Sequence, residues 1–571
     1  MLRRHSHWGV VLALSGGLMT GCGSASVRRQ AGKAPVQPRA EAAELSPEKA
    51  AQAHAHFGTG VVDEANGDTA AALDEYYQAA RADPGDEELV LDVSRRLLQG
   101  KQFDKALEVV NRAAARPGVS GAVFARLGLI YAELGKTEQS VAANRTAIKK
   151  APELLAGYRN LFLTYLQGKQ PAEALAVLDE AARQPSKDPE FLMGVCELYL
   201  NLGMQMPAQK EKAQAKALEV LNRVVRLKPQ TAVLRLMLAD SFNRLGETSK
   251  AAEIYLDLLN QLPEAPNLRE RIHAMLTEIY LRASDHKHAV EQLEAIIREN
   301  PANPAAYYYL GTLAFEDKKW DQAAEHFSKT ILLSPDFEQA YYDLATSQLD
   351  LKQTRQAMAT LQQARQRFSR DSQNFVLEFI TGLAYSQDKD YARAMEYFNR
   401  AEVIAKANEP KRLNQYFLFQ FGATCERTGD LAKAEDYFQR CLQLAPDFAE
   451  ALNYLGYMWA EHDMKLGQAR QLIEKALKLE PNNGAYLDSL GWVLFKLHQP
   501  KEALGYILKA CDLLEEPDPT VFDHLGDIYA ALQQPDKARE AWRKALALEP
   551  NEGIRKKLEA APAPANPKPQ S

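Results

Sequence analysis

Long apolar segments are nearly missing from this chain of 571 residues. The clearest one, Trp8 to Leu18, is too short to cross a bilayer as a helix. Neither sign of charge predominates, because 69 Lys and Arg residues oppose 75 Asp and Glu residues and the net charge is only −6. A general basic excess is therefore absent, and we do not expect nucleic acid as a partner.

Catalytic and metal-binding signatures are absent as well. The sequence contains no P-loop, HExxH, GxSxG or CxxC motif. Three of its five cysteines, Cys196, Cys425 and Cys441, fall at inward positions of the helical pattern described below, which predicts small buried side chains. Cys425 and Cys441 share one predicted hairpin, which leaves a disulfide between them open. We expect no catalytic site, no cofactor and no metal.

Strand patterns are the third absence. No run of alternating β-branched residues is present, whereas Ala, Leu, Glu, Lys and Gln recur along the whole chain. These are strong helix formers. The composition therefore predicts an all-α protein.

The N-terminus has the layout of an export signal. Arg3 and Arg4 precede the short apolar stretch, which is followed by Met19-Thr20-Gly21-Cys22. Small residues ahead of a cysteine resemble the lipobox of bacterial lipoproteins, although that family usually has Leu where this chain has Met19. The resemblance implies a signal peptide over 1–21 and an acylated Cys22 as the mature N-terminus. The alternative is an ordinary signal peptide cut near Gly21 or Ala25.

Residues 22–52 are rich in Ala, Pro, Ser and charge and lack apolar periodicity. Such a segment cannot bury enough apolar surface to fold, so we expect a lipid-anchored disordered linker. The residue after the cysteine is Gly23 and not the Asp that retains lipoproteins in the inner membrane. We therefore expect the periplasmic face of the outer membrane.

A repeated pattern occupies the chain from residue 53. A pattern of an alanine, a large apolar residue, a small residue and a proline keeps returning, as in Ala434, Phe438, Cys441 and Pro446, although the copy that begins at residue 121 has Ser140 in place of the alanine. A block with Leu-Gly at its centre precedes it, as in 522–529. The copies begin at residues 53, 87, 121, 155, 189, 232, 270, 304, 338, 375, 415, 449, 484 and 519.

The usual spacing of 34 and these anchor positions resemble the tetratricopeptide repeat (TPR). The resemblance implies a TPR α-solenoid, a right-handed superhelix of about fourteen helical hairpins over 53–552. Packing considerations support this fold. Small residues at repeat positions 8 and 20 let the two helices of a hairpin approach closely. Each hairpin can bury its apolar stripe only against neighbouring hairpins. Residues 553–571 are expected to be a short capping helix and a Pro-rich disordered tail.

Aromatic residues also recur at repeat positions 5 and 9 of the first helix, outside the core positions. In TPR proteins these positions line the concave groove. Because these rings have no obvious partner within the chain, we expect interface anchors, with core packing as the alternative. The predicted partner-binding groove consists of Tyr308, Tyr342, Phe379, Phe419, Asn453, Tyr457 and Trp492.

The last three copies resemble TPR lipoprotein adaptors of the Gram-negative periplasm. That resemblance implies a non-enzymatic scaffold that binds other proteins or peptides, with a periplasmic C-terminal-processing protease as one suggested partner. The alternative is an assembly factor for a secretion, pilus or exopolysaccharide machine. An enzyme in which repeats feed a transferase domain is disfavoured, because repeats fill the chain to residue 552.

Overall fold

A computed structural model describes residues 47–262, 265–368, 374–514 and 516–560. These residues form α-helices and two 3-10 helices, and they contain no β-strand. The first fourteen helices are α1 (Pro47–Ala65), α2 (Thr69–Ala82), α3 (Glu87–Gln99), α4 (Phe103–Ala114), α5 (Gly121–Glu133), α6 (Thr137–Lys150), α7 (Leu155–Gln167), α8 (Pro171–Arg183), α9 (Pro189–Gln205), α10 (Lys210–Leu227), α11 (Ala232–Arg244), α12 (Thr248–Gln261), α13 (Pro266–Arg282) and α14 (His286–Glu299). The others are α15 (Pro304–Glu316), α16 (Trp320–Leu333), α17 (Glu338–Asp350), α18 (Thr354–Phe368), α19 (Phe375–Gln387), α20 (Tyr391–Asn408), α21 (Gln415–Arg427), α22 (Leu431–Leu444), α23 (Ala449–Glu461), α24 (Leu466–Leu479), α25 (Gly484–Lys496), α26 (Pro500–Leu513), α27 (Pro519–Ala531), α28 (Pro535–Leu548) and α29 (Glu552–Ala560).

The helices follow one another as hairpins, with an odd-numbered first helix and an even-numbered second helix. The predicted all-α TPR solenoid class is confirmed. Short side chains permit the close approach, since a Cβ at Gly456 would lie 2.9 Å from the backbone oxygen of Ala469 on the second helix of its hairpin. Asn and Asp caps begin many of the first helices, as where Asn483 accepts a hydrogen bond from the amide of Ala485 at 3.1 Å.

The described chain divides into two compact units, one that runs to Ala295 and one that begins at Ile296. The core of the N-terminal unit contains fully buried rings from second and first helices alike, including Tyr76, Tyr199 and Phe242. In the C-terminal unit α29 closes the last hairpin, because Ile554 is buried against Trp542.

Two boundaries differ from the sequence expectation. Helix α1 begins at Pro47, so the segment 47–52 is helical and not part of the expected disordered linker. The reason is local, since Pro47 and Glu48 favour the first turn of a helix and helix formers follow. The remainder of the expected linker, the signal peptide with Cys22, and the tail 561–571 lie outside the described residues. Helix α13 begins at Pro266, ahead of the predicted 270.

Insertions lengthen two hairpins without breaking the pattern. In the fifth hairpin α9 and α10 are extended and joined by a 3-10 helix over Pro207–Gln209. After the tenth hairpin a 3-10 helix over Pro410–Arg412 connects the long α20 to α21. None of the helices in the described ranges is long and apolar enough to cross a membrane.

Candidate functional site

Tyr308 and Tyr342, the first two residues of the predicted groove, are packed within the C-terminal unit. The Tyr308 ring lies 4.6 Å from that of Phe337, and its hydroxyl donates to Asp343 at 2.9 Å. Tyr342 is only 3% exposed, and its hydroxyl donates to Glu338 at 2.5 Å. Burial and this carboxylate raise the pKa of Tyr342. Both tyrosines therefore hold the eighth to tenth hairpins together.

Phe379 is half-buried among the rings of adjacent helices. Its centroid lies 5.7 Å from Phe375, 5.9 Å from Phe398 and 5.6 Å from Phe417. Such spacings are typical of favourable aromatic pairs. The ring joins the tenth and eleventh hairpins.

Phe419 has the same kind of environment one hairpin later. Its ring lies 5.9 Å from Phe438, 5.5 Å from Phe448 and 5.7 Å from Tyr454. Two of these partners, Phe448 and Tyr454, come after the eleventh hairpin in sequence. Phe419 therefore contributes to the junction between successive hairpins.

The polar end of the predicted groove is a buried cluster on α23, α25 and α27. His524 is 4% exposed, pairs with Asp488 at 3.0 Å and stacks on Trp492 with centroids 3.9 Å apart. The Trp492 indole donates to Glu461 at 3.0 Å. Burial lowers the pKa of His524, but Asp488, together with Glu461 and Asp523, raises it by more in total, so the net pKa is raised.

Tyr457 and Asn453 belong to the same region of α23. The Tyr457 ring lies 6.2 Å from that of His524, and burial together with Glu461 raises its pKa. Within the described chain the side-chain oxygen of Asn453 is buried and accepts no hydrogen bond. Asn453 is therefore the member of the predicted set with an unused polar atom.

The expectation that these aromatic rings lack partners within the chain is wrong. Tyr342 and Trp492 are buried, and every ring of the set contacts other side chains. The physical reason is that positions 5 and 9 of one first helix contact the following hairpin as well as their own. A role of the set in partner binding stays a prediction.

The four cysteines in the described ranges, Cys196, Cys425, Cys441 and Cys511, are buried or half-buried thiols. Cys425 and Cys441 are both free, so the disulfide that their shared hairpin left open is not formed. The Cys425 sulfur contacts that of Met395 at 3.6 Å, whereas Cys441 donates to the Gln415 carbonyl at 3.2 Å. Burial raises the pKa of each of these two thiols to about 12, which disfavours the nucleophilic thiolate.

Four carboxylates in the described ranges are buried. Asp343, Glu378, Glu402 and Asp488 are all less than a tenth exposed. Each has a polar partner, as where Tyr437 donates to Glu402 at 3.0 Å. No group of three or more metal-ligating side chains is present among the residues that the structure describes.

An open apolar pocket lies on the first helices of the N-terminal unit. It has a volume of about 350 Å³ and lies between α9 and α11. Val233 is 69% exposed and Met237 36% exposed, although both are apolar. We call this feature the α9–α11 pocket; its lining residues are Glu190, Met193, Thr231, Val233, Leu234 and Met237.

The sequence contained a signal for this pocket that the aromatic criterion overlooked. Met193 occupies position 5 of its repeat, and Val233 and Met237 occupy positions 2 and 6 of the next. These are apolar residues outside the core positions, on one face of each helix.

Comparison with known proteins also identifies tetratricopeptide repeats in this chain. Models described as "Tetratricopeptide repeat" match residues 37–87, 126–189, 234–265, 275–336, 314–373, 416–448 and 519–552. A BBSome complex member BBS4 homolog of Drosophila melanogaster is 22% identical over 70% of this chain and 74% of its own length. The human protein O-mannosyl-transferase TMTC3 is 24% identical over 66% of this chain, which spans 43% of that protein.

Among solved structures, PilW, a widely conserved type IV pilus biogenesis factor, is 21% identical. The match covers 39% of this chain and 99% of that chain with a TM-score of 0.33. The family models together cover more than half of the sequence. With the helical hairpins described above, they show that this chain belongs to the tetratricopeptide repeat family.

Proposed function

We propose that this chain is a non-enzymatic scaffold that binds segments of partner proteins on its first helices. The observation that carries the proposal is the α9–α11 pocket. Exposed apolar side chains around a cavity are costly in water and are typical of interaction sites. Methionine suits such a surface, because its flexible thioether adapts to different ligands.

The proposed occupant is an apolar side chain on a short partner segment. Val233 and Met237 are exposed at the pocket, whereas Met193 is fully buried next to it. A cavity of about 350 Å³ is large enough for one leucine, methionine or phenylalanine side chain. Burial of such a side chain contributes about 1.5–3 kcal/mol, which suits reversible binding.

We also propose that the protein acts in the cell envelope, with Cys22 acylated and the array on the periplasmic face of the outer membrane. The support is the sequence Met19-Thr20-Gly21-Cys22 behind a short apolar stretch. Acyl chains at this cysteine would anchor the protein firmly, since two or more chains suffice for stable attachment.

The test is site-specific photo-crosslinking in cells. A photoreactive residue replaces Val233, and a matched control replaces Leu332, which is 71% exposed on a second helix. We expect discrete protein adducts from position 233 that are absent at position 332. Equal adducts at both positions, or none at either, would refute binding at the pocket.

The identity of the adducts separates the two functional classes. An adaptor that presents substrates to a protease yields that protease or its substrates at position 233. An assembly factor yields components of a secretion, pilus or exopolysaccharide machine. The same experiment therefore decides between the proposal and its alternative.

A further inference from the structure

Arg126 is an arginine without an acceptor on the first-helix surface of the N-terminal unit. It lies on α5 and is half-buried. Its guanidinium forms no hydrogen bond or ion pair with any residue in the described part of the chain. Burial and the nearby Arg95 lower its pKa, and Asp92 only partly offsets this. A half-buried cation of this kind has lost part of its hydration without gaining an acceptor.

The residues at the equivalent repeat position on the two neighbouring first helices already form hydrogen bonds with other groups. One repeat earlier the equivalent residue is Asp92, whose carboxylate receives Arg95 and, at 2.8 Å, Arg96. One repeat later it is Asn160, whose amide nitrogen donates to the carbonyl of Ala125 at 2.8 Å. Among the described residues, neither equivalent position therefore offers Arg126 a hydrogen-bonded anion.

The next first helix after that of Arg126, α7, also carries an arginine, and this one is exposed. Arg159 on α7 is exposed, and Leu163, one turn further on the same face, is 41% exposed. The helices α5, α7, α9 and α11 contact one another in that order. Arg126, Arg159, Leu163 and the α9–α11 pocket therefore follow one another along a single surface.

We infer that this surface binds a partner segment that carries a carboxylate at Arg126 and an apolar side chain in the α9–α11 pocket. The inference rests on the proposed function and specifies its ligand. Guanidinium and carboxylate form paired, charge-assisted hydrogen bonds, which would compensate the half-buried cation. The side chain of Asp or Glu and a free C-terminus supply the same group.

The spacing of the two anchors follows from the fold. Packed helices lie about 8–10 Å apart, so the two to two and a half steps from α5 to a pocket between α9 and α11 span about 16–25 Å. An extended chain rises about 3.3 Å per residue, which places the carboxylate about six residues from the apolar anchor. Glu190 at the pocket rim disfavours a second carboxylate next to that anchor.

The experiment is a selection from a display library of random linear peptides on the full chain and on Arg126→Gln. We expect wild-type ligands with one apolar residue and an Asp or Glu about six positions away. The acidic preference should disappear in Arg126→Gln while the apolar preference remains. A control, Arg112→Gln, removes an exposed arginine from α4 and should leave both preferences intact.

A synthetic peptide from the selection quantifies the contact. Arg126→Gln should weaken its binding at least about tenfold, as expected for a charge-assisted hydrogen bond. Replacing the peptide's Asp or Glu by its amide identifies a side-chain carboxylate, and C-terminal amidation identifies a terminal one. A loss with either modification supports the inference, whereas unchanged affinity with both overturns it.

The remaining outcomes separate the two proposals. Apolar enrichment without any acidic preference overturns the inference but leaves the pocket as a binding site. No enrichment at all overturns both. Arg126→Gln should melt at the same or a higher temperature, because it removes a desolvated charge. A fall of several degrees would show that the guanidinium supports the fold, which overturns the inference.

Discussion

Replacement of Phe419 by alanine tests whether the aromatic residues of the C-terminal unit support the fold. The ring contacts three others at 5.5–5.9 Å and is half-buried. Truncation of a fully buried Phe costs about 3–5 kcal/mol. For a half-buried ring we expect about 2–3 kcal/mol. Leu444→Ala, a control on the second helix of the same hairpin, removes a side chain that is 60% exposed and should cost below about 0.5 kcal/mol.

Hydrogen exchange resolved by segment is the suitable assay, because the stability of a repeat array is local. A loss of 2–3 kcal/mol corresponds to exchange about 30- to 150-fold faster. We expect this acceleration in α21 to α24 and little change in α3 to α8. Unchanged protection in α21 to α24 would refute the packing argument. Loss of partner adducts with intact protection would restore Phe419 as an interface anchor.

Three further predictions concern single side chains. The pKa of His524 is raised, so its pairing with Asp488 stabilises the last hairpin below about pH 6.5 and less as the pH rises through the folded pKa; in Asp488→Asn this pH dependence of exchange should vanish. Gly526→Ala places a Cβ 2.4 Å from a tryptophan ring and should cost about 1–3 kcal/mol, whereas Gly505→Ala meets nothing within 4 Å and should be neutral or stabilising in thermal melts. Cys22→Ser should abolish processing and membrane fractionation; retention of both would contradict acylation.

The architecture could be predicted from sequence because its determinants are local. A glycine in the first helix and an alanine in the second, such as Gly456 and Ala469, mark where two helices touch within one hairpin. The period of the repeat then predicts most later helices, with exceptions at the two insertions and at the early start of α13. The start of α1 was misjudged because the stretch after Pro47 lacks the repeat's apolar anchors, although its residues favour a helix.

The environment of the predicted groove could not be obtained in the same way. Repeat position describes a residue within its hairpin, but Phe419 is packed against Phe448 and Tyr454, which belong to the following segment. The partner of Trp492 is likewise His524, on the next first helix. Such contacts depend on how successive hairpins are stacked, which the consensus pattern does not describe.

A spacing rule connects these observations with the inferred ligand. Tyr308 bonds Asp343, 35 residues away, and His524 bonds Asp488, 36 residues away. Polar side chains on successive first helices thus form hydrogen bonds with one another across about one repeat. Where the residues at the equivalent repeat position already bond other groups, the remaining side chain is available to an external partner. Arg126 meets that condition in the N-terminal unit. Charged side chains that are partly removed from water are stabilised by a partner. A charged side chain on a first helix that has no hydrogen-bond partner within the repeats is therefore a candidate binding residue. An aromatic stripe alone selects side chains that are already packed against other repeats.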